Sequence, residues 1–200
     1  YISIMIVLFL ILWYFLNLSE LTKTARERAV SFCRMLLYSF LAGGCSAVLL
    51  IPEIHVLSVS GSGSNAFPES ASWYFSVWDE LGRHLTLAPI STTEGELPNV
   101  FCGAATLFLV VLFFLNRRIS LSRKLKRIAL IAFLFLSFNL NILDFIWHGF
   151  HFPEGLPARE AFLYSFLLLI TAYEALLKAE GNEPGDLAAG GLLMAAILAA

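Results

Sequence analysis

Ionisable side chains cluster in one short stretch of this sequence, residues 141–159. The stretch begins inside an apolar run and carries an acid, two imidazoles and a guanidinium out of it, namely Asp144, His148, His151 and Arg159. Charged groups in hydrocarbon carry a high free-energy cost, so such residues in or beside a spanning segment usually serve binding or transfer. A guanidinium beside imidazoles matches the oxygens of a phosphate group. The stretch therefore predicts a site for a phosphate-linked ligand.

Four polar residues stand at helical spacing in and just before this stretch. They occupy positions i, i+4, i+7 and i+11 and are Ser137, Asn141, Asp144 and His148. On one continuous helix this spacing places them on a single face. The face is either the lining of a headgroup site or an interhelical hydrogen-bond network, which is common in membrane bundles. Asn139 lies off the face and is expected to pack between helices.

Arg159 and Glu160 stand at the predicted start of the next helix. Glu160 complements the partial positive charge of a helix N-terminus, whereas Arg159 opposes it and needs another partner. The candidates for that partner are Asp144, Glu154 and a bound phosphate. The predicted substrate-binding residues are therefore Asn141, Asp144, His148, His151 and Arg159.

The composition is typical of a membrane protein. Of the 200 residues, 58% are hydrophobic and 14% are charged, and the mean hydropathy is +0.78, whereas about a quarter of a soluble domain is charged. The apolar residues form six runs, at 2–18, 35–52, 99–115, 128–147, 160–177 and 187–200. A spanning helix needs about 17–25 residues. We therefore predict an all-α fold, a polytopic transmembrane helix bundle of about five complete spans and a truncated sixth, within one membrane domain.

The two ends of the chain suggest an internal fragment of a larger protein. The first residue is Tyr1, and no basic region precedes the first apolar run, which argues against a signal peptide. The last run, 187–200, would form a helix about 21 Å long. That length is short of the hydrocarbon core, which is about 30 Å thick.

Basic residues are concentrated in two segments, 19–34 and 116–127, which hold ten of the 13 lysines and arginines. Cytoplasmic loops of membrane proteins carry such an excess of positive charge. We therefore predict that both segments are cytoplasmic. Because spans alternate in direction, 53–98 and 148–159 are then extracytoplasmic.

The large outer loop, 53–98, is expected to contain an amphipathic helix that lies in the membrane interface. Its apolar residues recur at i, i+4, i+8 and i+12 and are Trp73, Val77, Leu81 and Leu85. This pattern is typical of interfacial helices. Such a helix is either a platform that covers a lipid substrate or an anchor on the membrane surface.

These residues together resemble the YfhO family of bacterial multi-span membrane proteins. The similarity is clearest over 95–178, and the segment from Trp147 to Pro153, with Pro157 and Arg159, carries it best. The resemblance implies a membrane glycosyltransferase of the GT-C type in the bacterial cytoplasmic membrane. Such an enzyme moves a sugar from a polyprenyl-phosphate carrier to an envelope glycopolymer, such as teichoic or lipoteichoic acid, on the outer face.

The resemblance also implies roles for single residues. Arg159 would stabilise the charge that develops on the carrier phosphate, with His148 or His151 assisting and Asp144 orienting one of them. The catalytic acidic residue would lie in a first outer loop upstream of this chain, so no catalytic residue is assigned. Where the family usually has an aromatic residue and a serine after the arginine, this chain has Glu160 and Ala161.

Two other functions fit the same residues. A transporter or flippase for a lipid-linked glycan would use the polar site without bond chemistry, and a non-catalytic scaffold would use it only to pack helices. The sequence has no phosphate-cradling glycine loop, nucleophile elbow or zinc-ligand spacing, so no cofactor and no metal are predicted. The expected partners are membrane lipid, the polyprenyl-phosphate-linked sugar and the acceptor glycopolymer, and no nucleic acid is expected.

Overall fold

The computed structural model describes residues 2–59, 66–85, 88–93, 96–152, 155 and 158–199. Within these ranges the chain forms eight α-helices, a 3-10 turn at Ala179–Gly181 and one isolated β-bridge, with no β-strand. The helices are α1 Ile2–Leu21, α2 Ala25–Val59, α3 Val77–Gly82, α4 Ala104–Leu115, α5 Leu121–Ser137, α6 Asn141–Trp147, α7 Ala161–Leu177 and α8 Pro184–Ala199. The predicted all-α class is confirmed.

Helix α7 is the centre of the bundle. It packs against α4 and α5, while α4 also contacts α8, and α5 also contacts α1 and α6. The buried residues of α7 recur at helical spacing, and they are Ala161, Leu163, Tyr164, Leu167, Leu168, Thr171, Ala172 and Ala175. A buried stripe this wide is what a helix surrounded by neighbours requires.

Two helices are long and apolar enough to cross a membrane by length and composition alone. They are α1 and the Ala25–Val56 part of α2, and the apolar helices α4 and α7 are shorter. None of the most apolar 18-residue window of α2 is buried within the described structure. The apolar side chains of α2 are therefore available to lipid.

The predicted fourth span, 128–147, is not one continuous helix. Helix α5 ends at Ser137 and α6 begins at Asn141. Leu140 between them has an extended backbone, with φ −103° and ψ 114°, and bridges to Trp73. The prediction of one continuous polar face was wrong because the outer loop bonds to the backbone at this point. All four residues of the predicted face are nevertheless buried.

The interfacial helix is shorter than predicted, because the apolar pattern runs from Trp73 to Leu85 and the helix covers only Val77–Gly82. Helix α3 has six residues, and the Oγ of Ser76 caps it by accepting a hydrogen bond from the backbone N–H of Trp78, at 3.3 Å. Trp73 is not helical because it takes part in the bridge to Leu140. Trp78 is 80% exposed, and Val77 and Leu81 are also exposed, as expected for apolar side chains that contact an interface.

Buried Arg127 joins four helices at the end of the bundle that is predicted to be cytoplasmic. Its guanidinium donates to Thr171 Oγ1 at 2.8 Å and to Glu174 Oε2 at 3.1 Å, both on α7. It also lies over the rings of Trp13 on α1 and Phe113 on α4, at 5.2 and 5.3 Å from their centroids. The cation is thus paired, hydrogen-bonded and stacked, which is what a buried charge requires.

Segments predicted to lie on the same side of the membrane meet at the same end of the bundle. Arg123 contacts Glu20 at 3.1 Å and Glu174 at 2.8 Å. These pairs bring the 19–34 and 116–127 segments and the end of α7 together. Which end faces the cytoplasm stays a prediction from the charges.

Asn116 joins the end of α4 to the turn that follows α7. It is fully buried, and its Nδ2 donates to the carbonyl of Lys178 at 2.7 Å and to Asn182 Oδ1 at 2.6 Å. Its Oδ1 accepts from the backbone N–H of Arg118 at 2.8 Å. Gly181 lies directly against this amide, because a Cβ there would overlap Asn116 Oδ1 and stand 2.8 Å from Arg118 Cγ.

We predict that Gly181→Ala lowers the free energy of unfolding by about 1–3 kcal/mol, because the added methyl group displaces the Asn116 amide from its partners. Gly185→Ala is the matched control, since a Cβ at Gly185 meets nothing within 4 Å. Thermal unfolding in detergent micelles measures both variants. Equal melting temperatures for the two would contradict the close contact at Gly181.

Candidate functional site

Helix α6 and the start of α7 bring three ionisable side chains together. Asp144 lies within α6, His148 is the C-terminal cap of α6, and Glu160 is the N-terminal cap of α7. One ligand atom from each side chain lies within 4.8 Å of the other two. The three residues are 5%, 0% and 0% exposed, so the cluster is buried.

His148 is held in one orientation by Asp144. Its Nδ1 donates to the backbone carbonyl of Asp144 at 2.8 Å and lies 3.1 Å from Asp144 Oδ1. Because both neighbours are acceptors, Nδ1 carries the proton. Burial lowers the pKa of His148, but the hydrogen bond with Asp144 and the charges of Glu160 and Asp144 outweigh burial, so the pKa is raised. Within the described residues, Nε2 of this histidine is buried without a hydrogen-bond partner.

Glu160 is a site residue that the sequence analysis missed. Its side chain makes no capping hydrogen bond to α7. The predicted stabilisation of the helix N-terminus by Glu160 therefore does not involve a side-chain hydrogen bond. Both carboxylate oxygens are buried and without a hydrogen-bond partner in the part of the chain that the structure describes. The available signal was its position directly after Arg159, where it departs from the family pattern.

His151 and Arg159 lie beside this cluster. The rings of His148 and His151 have centroids 6.2 Å apart, and His151 is buried while Arg159 is half-buried. Burial, with the charges of His148 and Arg159, lowers the pKa of His151. The structure thus brings together four of the five predicted substrate-binding residues. Pro153, Glu154 and Pro157 from the predictions lie outside the described residues.

Two residues of the 148–159 segment have a backbone conformation that L-residues rarely adopt. Phe150 has φ 64° and Ala158 has φ 43°. Each directly precedes one of the predicted site residues, His151 and Arg159. Such conformations carry a free-energy cost and tend to occur at functional sites, where the surrounding structure enforces them.

Asn141, the fifth predicted residue, binds the outer loop through its side chain. Its Oδ1 accepts from the backbone N–H of Ser72, and its Nδ2 donates to the carbonyl of Ser70, both at 2.9 Å. Its role in substrate binding stays a prediction.

Asn139, two residues before Asn141, binds the same loop. It is fully buried, and its Oδ1 accepts from the backbone N–H groups of Tyr74 and Phe75, at 2.9 and 2.7 Å. Its Nδ2 donates to the carbonyl of Phe75 at 2.9 Å. The predicted packing role of Asn139 was therefore incomplete. The docked loop places the hydroxyl of Tyr74 3.1 Å from Asp144 Oδ2, to which it donates.

The rest of the outer loop covers this end of α7. His84 Nε2 lies 2.9 Å from the hydroxyl of Tyr164. Tyr164 lies on α7, the helix that Glu160 caps. Arg83 is buried and donates to Pro98 O, Ser91 Oγ and Asn99 Oδ1, all at 2.9 Å. The outer loop therefore packs over this end of the bundle, and we call the loop the roof.

Glu80 is the second buried acid in this region. It is 1% exposed, and neither carboxylate oxygen has a hydrogen-bond partner among the described residues. Burial raises its pKa from 4.5 to about 7.

A family model described as bacterial membrane protein YfhO matches residues 1–200. No curated protein and no solved structure matches the chain.

We predict that Asn139→Ala increases amide hydrogen exchange at residues 72–75 by at least about 10-fold, because each lost hydrogen bond is worth about 1 kcal/mol. Asn17→Ala is the control, since Asn17 makes a single side-chain bond, to the carbonyl of Trp13, within its own helix. Mass spectrometry of the protein in detergent measures the exchange. Unchanged protection of Tyr74 and Phe75 would show that Asn139 does not hold the loop.

We also predict that Glu80 makes stability depend on pH. The raised pKa means that the folded state holds this proton more tightly than the unfolded state does. Its stabilising effect is therefore complete below pH 4.5 and is lost as the pH rises through about 7. The loss amounts to about 3 kcal/mol. Glu80→Gln should flatten this part of the melting-temperature profile between about pH 5 and about pH 8. Parallel profiles for both proteins would contradict the shift.

Proposed function

The chain belongs to the YfhO family of bacterial membrane proteins, and from this premise we propose that it forms part of a membrane glycosyltransferase. The enzyme moves a sugar from a polyprenyl-phosphate carrier to an envelope glycopolymer such as teichoic or lipoteichoic acid. The observation that best supports this proposal is the buried cluster of Asp144, His148 and Glu160 beside His151 and Arg159.

The proposed setting is the bacterial cytoplasmic membrane, with the chain crossing it several times and the site at the outer face. The support is the charge pattern, because ten of 13 basic residues fall in 19–34 and 116–127. These segments are at the opposite end of the bundle from the outer loop. A polyprenyl carrier keeps its chain in the lipid and its phosphate at the interface, so an outer-face site suits it.

In this proposal the residues of the site supply charge and position. The bond between the sugar and the carrier phosphate breaks while the acceptor hydroxyl attacks the sugar and passes its proton to a general base, a carboxylate not assigned among these residues. Negative charge develops on the departing phosphate. The guanidinium of Arg159 stabilises that charge, since its planar donors match phosphate oxygens. His151, whose pKa is lowered by burial and by the charges of His148 and Arg159, adds a hydrogen-bonding group beside Arg159.

The roof formed by the outer loop supports an enclosed reaction. Tyr74 reaches Asp144 from the loop, and Asn139 and Asn141 fix the loop to the bundle. A covered site excludes water, and the charge on a departing phosphate is stabilised more strongly by fixed donors where water is excluded.

We predict that Arg159→Ala lowers sugar transfer by about 100-fold or more, which is the usual effect of removing one donor to transition-state charge. The full-length protein is reconstituted in liposomes with radiolabelled polyprenyl-phosphate sugar and acceptor polymer, and label in the polymer is counted. Arg117→Ala is the matched control, because Arg117 is an exposed arginine that pairs with Glu183 at the other end of the bundle.

Transfer that survives in Arg159→Ala at the level of Arg117→Ala would remove Arg159 from the proposed mechanism. Wild-type protein that moves labelled carrier across the bilayer without consuming it would identify a transporter or flippase instead. Wild-type protein that does neither would favour a scaffold.

A further inference from the structure

The cluster of Asp144, His148 and Glu160 has more lone pairs than its surroundings satisfy. Within the described residues, both oxygens of Glu160 and Nε2 of His148 are buried without a hydrogen-bond partner. Both side chains are 0% exposed. Buried carboxylates are normally paired with a cation or coordinate a metal. The cluster therefore presents the free lone pairs that a bound cation would accept.

We propose that Asp144, His148 and Glu160 bind one divalent transition-metal ion. Each residue has a ligand atom within 4.8 Å of ligand atoms of the other two, yet Glu160 hydrogen-bonds to neither. Glu160 is thus separated from the other two by more than a hydrogen bond, which suits an ion, whereas Asp144 Oδ1 itself lies 3.1 Å from His148 Nδ1. Ligand atoms about 2.1 Å from a tetrahedral ion are about 3.4 Å from one another. The Asp144 carboxylate therefore turns from Nδ1 of His148 toward the Nε2 side, and Glu160 moves inward, when the ion binds.

The donor set selects the class of ion. One imidazole and two carboxylates suit Zn²⁺ or Mn²⁺, whereas Mg²⁺ and Ca²⁺ prefer oxygen ligands alone. Two carboxylates with a neutral imidazole also balance the two positive charges of the ion. Zn²⁺ is the tighter-binding of the two metals and is therefore the ion to test first.

The groups around the cluster already orient the ligands. The backbone carbonyl of Asp144 holds Nδ1 of His148 at 2.8 Å, and the hydroxyl of Tyr74 donates to Asp144 Oδ2 at 3.1 Å. Hydrogen bonds of this kind to metal ligands fix ring orientation and raise affinity. The strongest sequence signal for the site is local, because Asp144 and His148 are four residues apart at the end of one helix.

Three protein ligands leave one position of a tetrahedral ion open. A phosphate oxygen of the carrier can take this position, beside Arg159. Only this last step rests on the proposed function, since the metal site itself is argued from the buried ligands.

The test uses full-length protein, stripped with a chelator in detergent and then titrated with Zn²⁺ by calorimetry. Wild type should bind one ion in the cluster, and Glu160→Gln should weaken binding by at least about 100-fold. Glu80→Gln is the matched control, because Glu80 is an equally buried acid with unpartnered oxygens outside the cluster, and it should bind as wild type does. All three proteins are first compared by size-exclusion chromatography.

A second measurement does not depend on the folding of a variant. Co²⁺ replaces Zn²⁺ in the wild-type protein, and the intense visible absorption of a four-coordinate Co²⁺ ion should appear and then disappear on adding Zn²⁺. No saturable binding by wild type, or equal binding by Glu160→Gln, would overturn the proposal and leave a proton as the occupant. Metal binding without sugar transfer would contradict only the proposed function, and transfer by protein that binds no ion would contradict only the metal site.

Discussion

Backbone hydrogen-bonding groups inside a bundle must find partners. At the interruption between α5 and α6 these partners come from the outer loop, and the arrangement of the site depends on this pairing. The chain at Leu140 is extended, and the outer loop pairs with it. The N–H of Tyr74 donates to the carbonyl of Asn139 at 3.0 Å, and the N–H of Asn141 donates to the carbonyl of Ser72 at 3.2 Å. The same pairing fixes the roof and starts the short helix that presents Asp144 and His148 to Glu160.

The two ends of the bundle differ in whether a buried ionisable side chain is paired within the protein. At one end Arg127 meets Glu174, a threonine hydroxyl and two aromatic rings, so the charge is neutralised by the protein itself. At the other end Glu160 is equally buried and lacks such partners among the described residues. Because the first end pairs its buried charge within the same fold, the unpartnered oxygens of Glu160 at the second end are the feature on which the proposed ligand site rests.

Local patterns predicted the fold more completely than the site. The apolar runs 2–18 and 160–177 correspond closely to α1 and α7, since uninterrupted hydrophobicity is a property of one segment. The division of 128–147 was not predicted, because it depends on hydrogen bonds from a loop more than 60 positions away. Asp144 and His148 were found from their spacing, whereas Glu160 joins them only through the packing of α5, α6 and α7.

Helix α2 has a consequence for how the protein meets its bilayer. Its 35 residues extend about 52 Å, against a hydrocarbon core of about 30 Å. Its described contacts with α1 are near its start, where Ser31 bonds to Tyr14 and Phe32 meets Phe15. Its apolar run, 35–52, is about 27 Å long as a helix and fits this core, whereas the charged first turns of α2 and the residues after Pro52 extend beyond it. The predicted outer loop therefore begins as helix, over 53–59, so its first residues leave the hydrocarbon core as a rigid extension of α2.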